Sequence, residues 1–278
     1  MSKSANVAVI GAGIVGICCA YFLKKSGLNV TLIDKNEPGS ITSYGHACTF
    51  ADYASIPVNS SKLFYQIPSM LAKSEGPLSV DLFYILKNLN WSFQFLKNCT
   101  PKKVNYISSS LGSILSHSTL AYDEIFKEVD VTDFIKKEEC LYLYKSEQAF
   151  KNETKTTNLR IKNGVKIKEL SRNEIKDLEP NLAEVYYNGH LFLGSRYTNN
   201  PQALSKKIFD AFVNNGGIFI QSNVSNLDHS QNNINISINS NKKNFDKVVI
   251  TSGAWSNIIA NYIGDDFPLD TERGYHVL

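Results

Sequence analysis

The sequence predicts an α/β fold in which a parallel-sheet domain is interleaved with an α+β domain built on a mixed antiparallel sheet. Three observations predict it. Val7 to Ile10 is a short apolar run that leads straight into "GAGIVG", as a buried parallel strand leads into a tight turn. A helical segment then runs to about Lys25, stops at Gly27, and is followed by a second strand, "NVTLID", ending on Asp34. After Asn199 the same style returns, with a Pro201-initiated helix, Gly216 and Gly217 at its end, and strands over 218–222, 234–238 and 246–251.

The glycines carry the first chemical reading. Gly11, Gly13 and Gly16 form G-x-G-x-x-G between a strand and a helix. In that context the first glycine allows the sharp turn, the second lets the backbone approach a pyrophosphate, and the third lets the helix pack against the strand. Ile14 and Val15 open the helix, whose N-terminal N–H groups form an anion site. Asp34, with Lys35 after it, ends the next strand where a ribose 2′-hydroxyl is held. An acid there, with no arginine beside it, argues against NADP and leaves NAD and FAD open. Residues 5–23 carry no charge and imitate a membrane span. Their glycine spacing and the Lys24–Lys25 pair suit strand, turn and buried helix instead, so no transmembrane segment is expected.

The stretch after Asp34 favours the larger cofactor. "PGSITSYGHACTFADYASIPVNS" is a long polar loop, where a nicotinamide domain would soon enter another helix. With Thr42, Ser43, Tyr44, Gly45, His46, Ala47 and Cys48, this loop resembles the Thr-Ser-x-x-Asn-Ala-Gly loop of the D-amino-acid oxidase superfamily, and most closely its D-amino acid dehydrogenase branch. Further segments in order are similar to that family: "GPLSVDLFYILKNLNWSFQFLKNC", "LSRNEIKDLEPNL", the helix and strand that bring Val224 to an adenine, "VVITSGAWS" with Ser252, Gly253 and Trp255, and "ERGYH". The resemblance implies a Rossmann-like FAD-binding domain over 1–55 and 200–266, and a substrate domain over 56–199 and 267–278. It implies FAD held by Gly11, Gly13, Ile14, Val15, Gly16, Asp34, Lys35, Thr42, Ser43, Gly45, His46, Ala47, Val224, Ser252, Gly253 and Trp255. His46 and Cys48 depart from the family's Asn and Gly. His46 is read as a loop hydrogen-bonder, with covalent flavin attachment as the sharper alternative, and Cys48 as an unreactive thiol.

The elements between complete the second domain. Val80, Phe83, Leu86, Leu89, Phe93 and Leu96 fall at helical spacing and read as a core stripe. Thr100 and Pro101 start another helix as N-cap and first residue. "ECLYLY" and "VKIKEL" read as strands separated by a helix carrying Lys155 and Arg160. Ser171 and Glu174 form a capping box, and Pro180 ends that helix. The charged run from Lys136 to Glu139 reads as a solvated face.

Composition excludes other classes. The 29 Lys and Arg against 26 Asp and Glu give +3, too little for a nucleic-acid footprint. Five cysteines without CxxC or Cys/His spacing suit reduced thiols, a cytoplasmic location and no metal. The resemblance further implies hydride transfer from the Cα of a D-amino acid or related small amine to flavin N5, then imine hydrolysis. Electrons would pass to a respiratory acceptor such as a membrane quinone, which would place the protein peripherally at the inner membrane. No acid or base is obligatory if the amine binds deprotonated. Arg273 and Tyr275 are the candidates for a substrate carboxylate, against a structural role in the strand that carries them. Relatives continue well past "ERGYH", so the chain reads as the N-terminal part of such an enzyme. Sarcosine or glycine oxidation, a catalytically silent nucleotide-binding fragment and a nicotinamide dehydrogenase are the alternatives.

Overall fold

The structure, a computed structural model, describes residues 4–46, 48–59, 82–230, 233–239, 241–269, 271 and 274. The chain divides into two compact units, one comprising Met1–Thr49, Asp123–Lys136 and Tyr197–Leu278, the other Phe50–Tyr122 and Lys137–Arg196.

In the first unit a four-stranded parallel sheet runs in the order Lys247–Ile250, Asn6–Ile10, Asn29–Asp34, Ile218–Gln221. Because side chains alternate along a strand, Asn6–Ile10 presents Ala8 and Ile10 to one face and Val7 and Val9 to the other. Ala8, Ile10 and Ile33 pack with Val224, Leu227, Ile236, Ile238 and Phe245, which lie on an antiparallel meander of Val224–Ser230, Asn233–Ile238 and Asn241–Phe245. The opposite face is covered by the helices Ile14–Lys25 and Pro201–Asn214, whose Ile17, Ala20, Tyr21, Leu204, Ile208 and Phe212 are buried. Burial on both faces explains why these strands read as continuous apolar runs. The Ser118–Glu128 helix sends Glu128 to the Tyr21 hydroxyl and to Lys25. Burial, then the hydrogen bond to Glu128, pushes the Tyr21 phenol up to about 12.

In the second unit Asn188–Phe192 is the central strand of an antiparallel sheet with Cys140–Tyr144 and Ile167–Leu170. One face packs Leu141, Leu170 and Leu191 against Ile175 and Tyr186. The other carries Tyr142, Tyr144, His190 and Phe192, with the Glu147–Lys162 helix over it: Phe150 meets the His190 ring at 4.9 Å and the Arg160 guanidinium lies 5.5 Å from the Phe192 centroid. Burial holds His190 below the usual imidazole range, and its Nδ1 is 2.9 Å from the Tyr144 hydroxyl. The capping box is formed as expected, with Ser171 and Glu174 exchanging both hydrogen bonds over the Arg172–Leu178 helix. Thr100 and Pro101 start the Pro101–Leu115 helix, although the Thr100 side chain makes no capping bond.

One expectation fails. The apolar stripe read as core lies on two short helices, Leu82–Lys87 and Leu89–Lys97. Phe83, Leu86, Leu89 and Phe93 on them are exposed, and the second helix buries none of its residues. Helical spacing shows that apolar residues share a face, and does not say what that face meets. Val80 lies outside the described residues.

Candidate functional site

The site is built at the carboxyl end of the parallel sheet, where ligands of open α/β sheets bind. Asn6–Ile10 ends in a turn that Gly11 carries through φ +110°. A Cβ there would stand 2.6 Å from the Thr251 carbonyl oxygen, and one on Gly16 would stand 1.8 Å from the Gly11 oxygen. The turn therefore has room for backbone and none for side chains. Thr251 closes it from the neighbouring strand: its N–H donates to Ile10 O at 2.8 Å and its hydroxyl to Gly11 O at 3.0 Å. Ser252 Oγ also donates to Ile10 O, at 2.9 Å.

Gly13 is the N-cap of the Ile14–Lys25 helix and brings no side-chain cap. Ser43, from the following loop, replaces it, since its buried hydroxyl accepts the Ile14 N–H at 2.9 Å. The next donors, on Val15 and Gly16, belong to the first helical turn and have no intrahelical acceptor; the Val15 side chain is 62% exposed. Asp34 binds the turn from its other side. Ala12 N–H donates to one carboxylate oxygen at 2.7 Å and Asn36 N–H to the other at 2.8 Å. Each oxygen keeps a second lone pair, so bracing the turn leaves Asp34 able to accept from a hydroxyl. Ser222 follows the strand beside Asp34, donating its N–H to Asp34 O at 2.7 Å. Its own hydroxyl oxygen is buried without a hydrogen-bond partner.

The structure thus brings Gly11, Gly13, Ile14, Asp34, Ser43 and Ser252 into one hydrogen-bonded arrangement, with Gly16 packed against Gly11. Trp255 and Lys35 form a second pair, the ammonium 5.8 Å from the indole centroid, with the Trp255 ring half exposed after Gly253 at φ +56°. The Val224 side chain is in the core, which leaves its main chain for any ligand. Thr42 is exposed and Gly45 half-buried. Ala47, Arg273 and Tyr275 lie outside the described residues, as does the terminal strand expected to carry the last two. Sequence reasoning missed Thr251 and Ser222. Thr251 could have been found as the residue at the end of a strand next to the glycine turn; Ser222 had no signal.

The His46–Cys48 segment is where the chain departs from the resembling loop. Cys48 sits at φ +66°, a conformation that glycine adopts freely and other residues rarely. Its N–H donates to His46 Nδ1 at 2.9 Å, its thiol lies 3.2 Å from His46 O, and its carbonyl accepts the Thr198 N–H at 2.8 Å. Accepting at Nδ1 places the imidazole proton on Nε2, and although His46 is exposed overall, partial desolvation of the ring lowers its pKa. The neutral ring acts as a brace within its own loop.

These residues fit FAD on structural grounds: a turn whose added Cβ atoms would collide, a helix N-terminus aimed from it, an acid with spare lone pairs, and a buried hydroxyl without a partner nearby. A groove of about 390 Å³ lined by Lys24, Asn29, Ile218 and Lys243 lies at the amino end of the same sheet, away from this chemistry. Among the described residues no group of three His, Cys, Asp or Glu could hold a metal ion. No helix among them is long and apolar enough to cross a membrane.

Comparison with known proteins agrees with the geometry. The chain is similar to a D-amino-acid oxidase of Bradyrhizobium diazoefficiens, 29% identical over 282 residues that take in 100% of this chain and 67% of the relative. It is also similar to a D-amino acid dehydrogenase of Helicobacter pylori, 30% identical over 176 residues, 63% of this chain and 42% of the relative. Among solved structures, the glycine oxidase from Geobacillus kaustophilus superposes with a TM-score of 0.62 at 16% identity, over 94% of this chain and 59% of that one. The chain therefore spans 67% or less of the length of these three proteins. The sequence profile described as FAD dependent oxidoreductase matches residues 6–278, and the chain belongs to that family.

Proposed function

We propose that this chain holds FAD along the Gly11–Gly16 turn and the Ser43–Cys48 loop, and that the protein oxidises the C–N bond of a small amino acid, with D-amino acids as the substrate class. The observation that carries the reading is the convergence of Gly11, Asp34 and Ser43 on the first turn of one helix, in a chain whose family is flavin-dependent. In the proposed roles the N–H groups of Val15 and Gly16 meet the pyrophosphate. Asp34 accepts from the ribose, Ser222 and the Val224 main chain lie toward the adenosine end, and Trp255 with Lys35 covers that end. Thr42, Gly45, His46 and Ala47 line the flavin side, with His46 donating from Nε2. Arg273 and Tyr275 would orient a substrate carboxylate. Bound flavin supplies the hydride acceptor; the protein's part is to hold the Cα–H toward it and keep water away until the imine is released to hydrolyse. The relatives named for D-amino acids support that substrate class over glycine or sarcosine. A membrane quinone is the proposed electron acceptor, reached from the cytoplasmic face.

The test is the visible absorption spectrum of the purified protein, followed by dye reduction with D-alanine, glycine and sarcosine. A flavin band with D-alanine the fastest substrate supports the reading. A flavin band with no reduction by any of the three leaves a silent FAD-binding chain. A colourless protein that stays colourless with added FAD, or one reduced only through NADH, overturns it.

A further inference from the structure

The groove at the amino end of the parallel sheet has a chemistry that the nucleotide site does not use. It is the open end of the space between the two sheets of the first unit. Side chains alternate along a strand, so Asn6 shares a face with Ala8 and Ile10, Thr31 with Ile33, and Ile218 with Ile220, all toward the core that the two sheets share. Across the gap, Lys243 lies on the inward side of its strand together with Phe245. The space left between them, about 390 Å³, is at the lower end of the range for small-molecule sites, about 300–1,000 Å³. Its floor is apolar, with Ile220, Phe245 and Ile218, the last 58% exposed. Lys24, in the last turn of the Ile14–Lys25 helix, and Gly216 complete the rim: a Cβ on Gly216 would stand 3.8 Å from Lys24 Nζ.

Charge narrows the ligand. Two lysines line the groove and no Asp or Glu does. Lys25, one residue on, is paired with Glu124 and Glu128, whereas neither Lys24 nor Lys243 makes an ion pair among the described residues. Asp246, next to Phe245, is engaged in accepting the Asn6 N–H at 2.7 Å. Asn29 Nδ2 donates to Asn6 Oδ1 at 3.1 Å, which leaves the Asn6 side-chain N–H groups as neutral donors at the same mouth. An apolar floor beside unpaired ammonium groups and an amide donor suits an anion with an apolar body; an inorganic ion would leave that floor in water. The geometry points to a second ligand site here, for a small carboxylate that carries an aromatic or branched aliphatic group. The carboxylate meets Lys24 and Lys243, and the apolar group lies on Ile218, Ile220 and Phe245. The 2-oxo acids left by the proposed oxidation have this chemistry, as do carboxylates from other sources. The site goes beyond that oxidation and does not depend on it: its occupancy is read at Ile218 and the cofactor's in the flavin band, so either can fail alone.

The experiment follows the isoleucine methyl signals of the purified protein, with Ile218 assigned from an I218V variant, during titration with 3-phenylpropionate and, separately, with phenylpyruvate. A saturable shift of the Ile218 signal with 3-phenylpropionate, weakening as salt is raised, is expected. 3-Phenyl-1-propanol has the ring without the charge, and acetate the charge without the ring; each should bind about tenfold more weakly. K24A combined with K243A should weaken 3-phenylpropionate about tenfold while leaving the circular dichroism melt and the flavin band unchanged. If that variant does not fold, K243A alone, at an exposed position, should still weaken binding about threefold. Phenylpyruvate bound about tenfold tighter than 3-phenylpropionate assigns the site to the oxidation product, and equal or weaker binding assigns it to the wider class of carboxylates. An Ile218 signal that stays in place with both acids, 3-phenyl-1-propanol bound as tightly as 3-phenylpropionate, or an affinity unchanged in the lysine variants overturns the inference.

Discussion

The turn at Gly11 and the turn at Cys48 both take the backbone through positive φ, at +110° and +66°, and only the first does so with glycine. At Gly11 the conformation belongs to the residue, and Thr251 packs against a shape that is available in any case. At Cys48 an L side chain stands where it is disfavoured by about 1–2 kcal/mol. The shape is imposed by bonds to His46 and to Thr198, and strain of this kind persists where the surroundings over-determine the backbone. One side of the proposed cofactor cradle is thus intrinsic to its sequence, and the other depends on its neighbours being in place.

Four measurements can break or sharpen that contrast. The largest effect is expected from Gly11→Ala, which puts a Cβ 2.6 Å from a backbone oxygen that no side-chain rotation can move. A loss of about 3 kcal/mol or more is expected in urea unfolding, with loss of flavin retention, and a native-like melt would show that the first turn is not set by its glycine. Ser43→Ala removes the acceptor of the Ile14 N–H and should cost about 1 kcal/mol; Ser43→Thr, which keeps the hydroxyl, should recover part of it. Cys48→Gly should stabilise by about 0.5–1 kcal/mol because strain is released against some gain in unfolded-state entropy. Cys48→Ala should bring no such gain, and equal melting points for the two variants would mean that the second turn is not strained. The smallest effect concerns pH. The folded-state pKa of His46 lies below its ordinary 6.5, so the unfolded chain takes up the proton first. The stabilisation from the neutral ring is present above about 6.5 and is lost as pH falls through the lower, folded value. Exchange of the Cys48 amide with deuterium, corrected for intrinsic rates, should accelerate below that pH, and His46→Phe should remove the pH dependence.

The legibility of the molecule follows the same division. The glycine turn, its flanking strands and the Ile14–Lys25 helix could be read because strands buried on both faces leave apolar runs, and because a turn this tight admits few residues. The capping box at Ser171 and Glu174 could be read because both partners lie within one helical turn. The Val224–Ser230 strand contains "SNLDHS" and the Asn241–Phe245 strand is "NKKNF". Each has too few apolar residues to show a period, and they are strands because they pair across a meander. In the site, Asp34 and the glycines were legible as a spacing, whereas the Ser43 cap, the unpartnered Ser222 hydroxyl and the His46 brace depend on chain returning from a distance. The stripe from Phe83 to Phe93 was legible as a face and misassigned as core, because period carries no information about the occupant.

The pairing of Asn6–Ile10 with Lys247–Ile250 also has a bearing on how the protein is made. The Asn6–Ile10 strand must wait for one of its two neighbours until some 240 further residues have been added, on the order of 12–50 s at ordinary translation speeds. Until then an apolar strand has an open edge, and the glycine turn lacks the Thr251 carbonyl and hydroxyl that close it. The nucleotide cradle, begun at Asn6–Ile10, is therefore completed only once Thr251 has been made. Pulse-labelled nascent chains shorter than about 250 residues should expose that edge to chaperones and proteases, and longer ones should not.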